Sequence, residues 1–311
     1  MKILFNNAIF FSQKIGGVSR YFDSIFKKFI ELKFPFKVIA PIYKNIYLRD
    51  LDNGFKQGLY FPKYPMHKQF VKLNEILTNF IISKDYKSHI IHDTYCSSSL
   101  LEIKNKKKVI TIYDLIHEKF NNYYNYKDII QNKKKIFDNM DYFICISNKT
   151  KEDFLDLYKV PEYKVEVTHL GCDHMNQINK NDTLLNIDNF KKLKISKNLH
   201  YFSGSDSDLK QFYVNASVMV ATSKYEGFGL PLVEAMSLEC KLLINDIQIF
   251  REICGNNAIY FENEEDLKNK LENILYLSQN NKDLQQIKVD TIQKYSWMDT
   301  AKKTIKIYNL L

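Results

Sequence analysis

The chain has 311 residues, of which 45% are hydrophobic and 14% aromatic, so it can bury two cores of ordinary size and is not a disordered polypeptide. Its formal net charge of +9 at pH 7 comes from lysines spread along the chain, with short clusters at residues 104–108 and 133–135. The five cysteines are scattered and odd in number, which excludes a disulfide framework or a cysteine-based metal site.

The first residues and the apolar runs predict a soluble, cytoplasmic protein. Asn6 and Asn7 follow the opening MKILF at once, so the apolar run is too short for a signal peptide. No apolar run approaches the roughly 18 residues of a membrane span. The lysine clusters are explained by a solvated surface or by an anionic partner. Because nucleic-acid-binding motifs are missing, the inner face of a membrane is favoured over nucleic acid.

The first half is predicted to alternate strands and helices. A strand is expected in residues 2–11, followed by a double glycine and an amphipathic helix over residues 18–33, whose aromatic and basic side chains also make it a candidate for membrane contact. Residues 41–65 are expected to form a long surface loop, and residues about 68–82 a helix. Further strands are predicted at residues 36–40, 89–92, 108–114, 141–147 and 164–169.

The second half centres on one turn. Residues 218–222 predict a buried strand, after which Gly227 and Gly229 permit a tight turn and Pro231 suits the first turn of a helix. The start of that helix would point its N–H groups and positive dipole end toward an anion such as a phosphate. Further elements predicted in this half are a strand at residues 199–202, a helix at 264–278 and a terminal helix at 296–311.

The whole string SKYEGFGLPLVEAM resembles the donor-binding signature of the retaining glycosyltransferases of family four, in which two glutamates are separated by seven residues. GGVSRYF, IHDTYC and ISNKTKEDF resemble other segments of that family. The resemblance implies an α/β protein of the GT-B fold, with two Rossmann-like domains facing across a cleft. The expected domains are an acceptor-side domain over residues 1–170, a nucleotide-sugar-binding domain over 171–295, and a terminal helix over 296–311 that packs back on the first domain, with Trp297 as a packing anchor.

The resemblance also implies roles for individual residues. Glu226 would bind the hydroxyls of the donor sugar and Glu234 those of the ribose. In the first domain the family frequently has a histidine directly before Asp114, where this chain has Tyr113, so His117 is the candidate to assist Asp114 at the reacting groups. The remaining candidates are Gly17, Gly227, Phe228, Gly229 and Leu230 for the donor, and His92 and Arg20 for the acceptor.

Two departures from the family stand out. Gly171 and Leu199 are only 28 positions apart, whereas a strand-helix-strand unit needs about 30 residues or more. The second domain is therefore expected to be truncated by one such unit, together with the basic pair that holds the donor diphosphate. After the signature helix, Glu239 and Lys241 stand where a glycine and a proline are usual, which is expected to distort the helix end.

The implied function is transfer of a sugar from a nucleotide sugar to a hydroxyl of a glycan or lipid-linked acceptor, with retention of configuration, in polysaccharide assembly. No metal or further cofactor is expected, and no nucleic acid. Two alternatives remain open. The truncation favours a degenerate, non-catalytic binding or regulatory protein, and a sugar-nucleotide epimerase can share the architecture. An epimerised donor in the absence of acceptor would identify the latter.

Overall fold

A computed structural model describes residues 2–63, 68–85, 87–123, 125–177, 193–194, 200–201, 204–273 and 281–311. The chain forms two compact units, one comprising Met1–Leu170 with Trp297–Leu311 and the other Gly171–Ser296. The predicted loss of a strand-helix-strand unit before residue 199 falls largely outside the described residues. So do both ends of the strand predicted at residues 199–202 and the end of the helix predicted at 264–278.

A parallel sheet of seven strands forms the centre of the first unit, in the spatial order β3-β2-β1-β4-β5-β6-β7. The strands are β1 (Ile3–Phe5), β2 (Phe36–Tyr43), β3 (Lys56–Tyr60), β4 (Ile90–Asp93), β5 (Lys107–Ile112), β6 (Tyr142–Cys145) and β7 (Val165–Val167). The central strands β1 and β4 are buried throughout, because both faces of a parallel sheet are covered. The predicted α/β class is confirmed.

Helices cover this sheet. They are α1 (Ala8–Ser12), α2 (Gly17–Glu31), α3 (Ile46–Asp50), α4 (Lys68–Lys84), α5 (Ile116–Lys119), α6 (Lys127–Phe137) and α7 (Asn148–Leu157). The predicted amphipathic helix is confirmed as α2, and its aromatic face is buried around Phe5, whose ring lies 4.8 Å from that of Phe26 and 5.7 Å from that of Phe22. This face belongs to the core, so its aromatic side chains are not exposed to a membrane, and contact of the helix with a membrane stays a prediction.

Two predictions for the first unit are wrong. Residues 9–11 do not extend a strand, because Ala8–Ser12 turn into α1. Residues 41–65 are not one loop. β2 continues to Tyr43, Asn45 caps α3 by accepting a hydrogen bond from the N–H of Leu48, and β3 adds an edge strand. The sequence of β3, KQGLY, is short and mostly exposed, so it lacks the apolar alternation that would reveal an edge strand.

The second unit contains a parallel three-stranded sheet, β10-β11-β12, and an antiparallel pair, β8-β9. Its elements are β8 (Leu193–Lys194), β9 (His200–Tyr201), α8 (Asp206–Asn215), β10 (Met219–Ala221), α9 (Leu230–Ser237), β11 (Leu242–Asn245), α10 (Gln248–Cys254), β12 (Ile259–Phe261), α11 (Glu264–Asn273) and α12 (Asn281–Lys294). α12 has no counterpart among the predicted elements. β10 is half-exposed rather than buried, because among the described residues it is an edge strand.

The terminal helix, α13 (Trp297–Tyr308), packs on the first unit. Trp297 is buried, with its ring 6.0 Å from that of Tyr21, and Thr300 donates a hydrogen bond to the carbonyl of His169. The helix thus forms in the predicted range, and Trp297 packs within the first unit. Among the helices that the structure describes, none is both long enough and apolar enough to cross a membrane.

Candidate active site

The signature turn of the second unit is built around Gly229, which caps the start of α9. Its φ of +88° lies in the left-handed region. A Cβ at this position would approach Leu232 Cδ1 to 3.1 Å and Phe250 Cε1 to 3.2 Å, so both the backbone conformation and the packing call for glycine. Pro231 lies in the first turn, as predicted. The turn therefore presents the positive end of α9 beside the carboxyl end of β10.

Glu226 lies in this turn and is half-buried. Its Oε1 accepts a hydrogen bond of 2.9 Å from the hydroxyl of Ser223, and the side-chain amide of Asn245 donates to the carbonyl of Ser223 at 3.1 Å. Asn245 ends β11, so the loop that carries Glu226 is tied to the carboxyl ends of two adjacent parallel strands. Ligands bind at this edge of open α/β sheets.

Glu234, by contrast, is buried, with 3% of its surface exposed. One carboxylate oxygen lies 2.9 Å from His174 Nε2, and the other accepts a hydrogen bond of 3.3 Å from the hydroxyl of Tyr213. Burial of a carboxylate is costly unless it is paired, and these two side chains supply the partners. Sequence analysis missed both of them, because they lie 60 and 21 residues from Glu234 and follow no local spacing rule.

The other signature residues divide into backbone and core positions. Phe228 is buried, with its ring 5.6 Å from that of Tyr295 in an edge-to-face arrangement. Its side chain therefore anchors the turn to the core, and a donor could meet only its backbone. Gly227 is buried in the same turn, and Leu230 is half-buried at the first position of α9.

The first unit contains a pocket of about 440 Å³ at the carboxyl ends of β4 and β5. It brings together Asp114 and His117, as the sequence predicted, and adds Lys133 from α6. Asp114 Oδ1 accepts a hydrogen bond of 3.1 Å from the N–H of Ile116, which fixes the start of α5. The other lining residues are Tyr95, Cys96, Thr111, Ile112, Tyr113, Asp128, Ile129, Asn132 and Phe137.

The neighbours of His117 determine its protonation state and its tautomer. Burial and then the ammonium of Lys133 lower the pKa of His117 below its usual value, so the ring is neutral at pH 7. Lys133 Nζ lies 3.3 Å from Nδ1 of the ring. Because an ammonium can only donate, Nδ1 is the acceptor and Nε2 carries the proton. His117 can therefore donate a hydrogen bond to a ligand in the pocket.

Lys133 and Tyr113 complete this wall. Glu118, which is buried, accepts hydrogen bonds from Lys133 at 3.2 Å and from the hydroxyl of Tyr158 at 2.6 Å. Tyr113, which stands in place of a histidine, packs with its ring 5.5 Å from that of Tyr21. Its hydroxyl is buried and has no hydrogen-bond partner among the described residues. The pocket thus combines apolar surface with the ammonium of Lys133, which Glu118 pairs from outside the lining.

The structure corrects the prediction for His92. The side chain is fully buried, with Nε2 2.9 Å from the hydroxyl of Thr111 and Nδ1 bonded to the hydroxyl of Tyr308 in α13. Because protein groups occupy both ring nitrogens, His92 cannot contact an acceptor in this structure. Its role is to connect the sheet to the terminal helix.

Gly17 and Arg20 lie at the start of α2 and do not line the pocket. The space around Gly17 is open, since a Cβ there would meet no atom within 4 Å. The guanidinium of Arg20 lies 5.9 Å from the centre of the Tyr47 ring. Gln13 accepts a hydrogen bond of 3.3 Å from the N–H of Ser19, so a side chain already satisfies one donor at this helix start.

Comparison with family models gives two matches. The model described as Glycosyltransferase Family 4 matches residues 15–175, and the model described as Glycosyl transferases group 1 matches residues 171–289. Together they cover residues 15–289, which include most of both compact units, and the first alone covers about half of the chain.

Curated relatives match over shorter segments. The chain is 30% identical over 116 residues to the serotype-specific mannosyltransferase WbdA of Escherichia coli, covering 36% of this chain and 14% of WbdA. It is 35% identical over 72 residues to the O-antigen chain mannosyltransferase RfbU of Salmonella typhimurium, covering 22% of this chain and 20% of RfbU. The matches therefore span at most a fifth of the length of these relatives.

Solved structures match over the full length. A glycosyltransferase from Rickettsia africae is similar with a TM-score of 0.67 and 18% identity, covering 99% of this chain and 97% of that one. HepE from Anabaena, in complex with UDP-glucose, gives a TM-score of 0.72 and 13% identity, covering 100% of both chains. Likeness at these identities establishes the fold, which is that of the GT-B glycosyltransferases.

Proposed function

Because the chain belongs to glycosyltransferase family 4, we propose that it transfers a sugar from a nucleotide sugar to a hydroxyl of a glycan or lipid-linked acceptor in polysaccharide assembly, with retention of configuration. Because WbdA and RfbU are both named as mannosyltransferases, an activated mannose is the first donor to test. The complex of HepE with UDP-glucose makes that nucleotide sugar the second.

The observation that carries the proposal is the left-handed turn at Gly229 between two carboxylates. The diphosphate of the donor would lie at the start of α9, where the helix dipole and backbone N–H groups favour an anion. Glu226, half-buried in the same turn, would bind the hydroxyls of the donor sugar. Glu234, oriented by His174 and Tyr213, would bind the ribose, because each carboxylate oxygen can accept a second hydrogen bond whereas each ring nitrogen of His92 makes only one.

The acceptor would bind in the pocket of the first unit. Asp114 and the neutral ring of His117 offer an acceptor and a donor of hydrogen bonds to a sugar hydroxyl. The apolar part of the wall suits the face of a sugar ring or a lipid portion of the acceptor.

In the proposed reaction the acceptor oxygen bonds to the anomeric carbon while the bond from that carbon to the phosphate oxygen breaks. The proton of the acceptor hydroxyl passes to the departing phosphate on the same face, so the configuration is retained without a carboxylate nucleophile. The protein stabilises the charge that develops on the diphosphate, which is the largest demand of the reaction. The proposal assigns no role to a metal ion.

Measurements of binding and turnover with GDP-mannose and UDP-glucose test this assignment. Glu234→Gln should weaken the binding of the matching nucleoside diphosphate about tenfold or more, because a charge-assisted hydrogen bond is lost. Glu226→Gln should leave the diphosphate affinity unchanged and lower only sugar transfer. Glu265→Gln, an exposed position on α11, serves as the matched control.

Each other outcome has a distinct meaning. Diphosphate binding without transfer to any glycan acceptor would favour the non-catalytic alternative. Epimerised donor in the absence of acceptor would identify an epimerase. Inversion at the anomeric carbon of the product, measured by NMR, would overturn the retaining mechanism, and absence of nucleotide binding would overturn the donor site.

A further inference from the structure

The outward face of α4 is apolar. Leu73, Ile76, Leu77 and Phe80 are 50%, 53%, 38% and 60% exposed. Their spacing of three and four residues places them on one side of the helix. Four large apolar side chains in one continuous exposed stripe are unusual on a soluble surface and indicate a site of interaction.

The inward face of the same helix carries buried polar side chains beside Ile82, which packs into the core of the first unit. Asn74 is buried, accepts a hydrogen bond from the backbone N–H of Ile42 at 3.0 Å, and donates one to its carbonyl at 3.0 Å. Asn79 donates to the carbonyl of Ser99 at 2.7 Å, and Thr78 is fully buried. An ordinary surface helix turns its apolar side inward. In α4, Ile82 does pack inward, but the hydrogen bonds of Asn74 and Asn79 fix the rotation of the helix so that the apolar stripe stays exposed.

The charged side chains on the outward side of α4 are positive. Lys72 and Lys84 are exposed, and at 3.6 residues per turn Lys84 falls within the apolar arc and Lys72 at its border. Lys84 Nζ lies 5.3 Å from the centre of the Phe80 ring. The only acidic residue in the sequence of α4 is Glu75, which is half-buried on another side. Apolar side chains bordered by lysines are complementary to a surface that has an apolar interior and an anionic outer layer.

We propose that α4 lies on an anionic lipid bilayer, with Leu73, Ile76, Leu77 and Phe80 in the boundary between headgroups and acyl chains. Lys72 and Lys84 then extend their ammonium groups to lipid phosphates. Self-association of two copies through this face is disfavoured, because it would bring lysines against lysines. The contact does not depend on the proposed transferase activity.

Vesicle sedimentation tests the proposal on the full chain. We expect binding to vesicles that contain phosphatidylglycerol, weaker binding to pure phosphatidylcholine, and a decrease with salt. The double variant Ile76→Ser, Phe80→Ser should reduce the partition coefficient by about tenfold or more, since two buried apolar side chains are lost. The double variant Lys72→Ala, Lys84→Ala should reduce it about fivefold for each lysine.

Matched controls keep the test decisive. Leu271→Ser with Val289→Ser removes exposed apolar groups elsewhere, and Lys302→Ala with Lys303→Ala removes the same charge; both should bind as the unchanged protein does. Because all these positions are exposed, thermal unfolding should stay unchanged. Equal partitioning of the α4 variants and the unchanged protein would overturn the proposal. So would a dimer, seen by sedimentation velocity, that Ile76→Ser, Phe80→Ser abolishes.

Discussion

Burial of His92 links the stability of the first unit to pH. Desolvation lowers the pKa of His92 from 6.5 to about 3, so the folded protein holds the ring neutral. The unfolded chain binds a proton below about pH 6.5, whereas the folded chain does not. Stability from this residue is therefore complete above pH 6.5 and is lost as the pH falls toward 3, by about 1.4 kcal/mol per pH unit.

A variant without a titrating ring at this position makes the effect measurable. His92→Asn should be less stable than the unchanged protein at pH 7.5, because the hydroxyls of Thr111 and Tyr308 lose a shared partner. The difference in the free energy of urea unfolding should narrow by about 2 kcal/mol between pH 6.5 and 5, since only the unchanged protein pays for protonation of the ring on unfolding. Asp93 titrates in both proteins and cancels. A difference that is constant with pH would contradict the assignment.

The same residue shows where reasoning from sequence reached its limit. The position of His92 at the carboxyl end of a strand was predicted, but its surroundings were not. Tyr308 lies 216 residues away and Thr111 lies 19 residues away, and only the folded chain brings them to the ring. Asp114 and His117, by contrast, are close in sequence, and a common loop brings both to the pocket as predicted.

The end of α9 shows how an element tolerates an unfavourable residue. The N–H of Cys240 donates to the carbonyl of Ala235, and the N–H of Glu239 donates to that of Met236, which is the Schellman pattern of helix termination. Glu239 has a φ of +63°, a conformation that glycine adopts at no cost. The expected distortion of the helix end is therefore absent, and the carboxylate pairs with Lys288 at 2.8 Å.

Two substitutions at this position separate strain from charge. Both Glu239→Gly and Glu239→Ala lose the ion pair with Lys288, but only alanine keeps the steric cost of the left-handed conformation. The glycine variant should therefore be more stable than the alanine variant by about 1 kcal/mol in urea unfolding. Equal stabilities would mean that the backbone at residue 239 is not strained.

For helices and strands, the sequence predicted which elements form. It was less successful in predicting which side of an element faces the core. Helical spacing of apolar residues identified α2, and short apolar runs identified the central strands, because these side chains pack directly on one another. The helix predicted at residues 68–82 also forms, but the prediction did not include burial of Asn74, Thr78 and Asn79 beside Ile82. Asn74 and Asn79 face inward because backbone groups at Ile42 and Ser99 need partners, a demand that periodicity does not record.

At the scale of the whole molecule, an experiment can follow the two units separately, through the tryptophan of the first and the proposed donor site of the second. Trp297, the only tryptophan of the chain, is buried in the first unit, so its fluorescence reports the unfolding of that unit. Glu226, Gly229 and Glu234 all belong to the second unit. The family resemblance predicted the GT-B fold, whereas the missing strand-helix-strand unit stays a prediction.

This separation predicts that a nucleotide stabilises the two units unequally. At a concentration about 100 times its Kd, the matching nucleoside diphosphate should stabilise the second unit by about 2.7 kcal/mol, because it binds only the folded form. Hydrogen exchange should slow most in peptides that cover residues 223–237. The urea midpoint reported by Trp297 fluorescence should move less, because the proposed phosphate and ribose contacts lie outside its unit.

Variants of the second unit provide the control. Glu234→Gln should reduce the protection of residues 223–237 from hydrogen exchange, and Glu265→Gln should not. An equal shift of both signals would contradict the placement of these contacts in the second unit and would direct attention to Gly17, whose open surroundings leave room for a ligand.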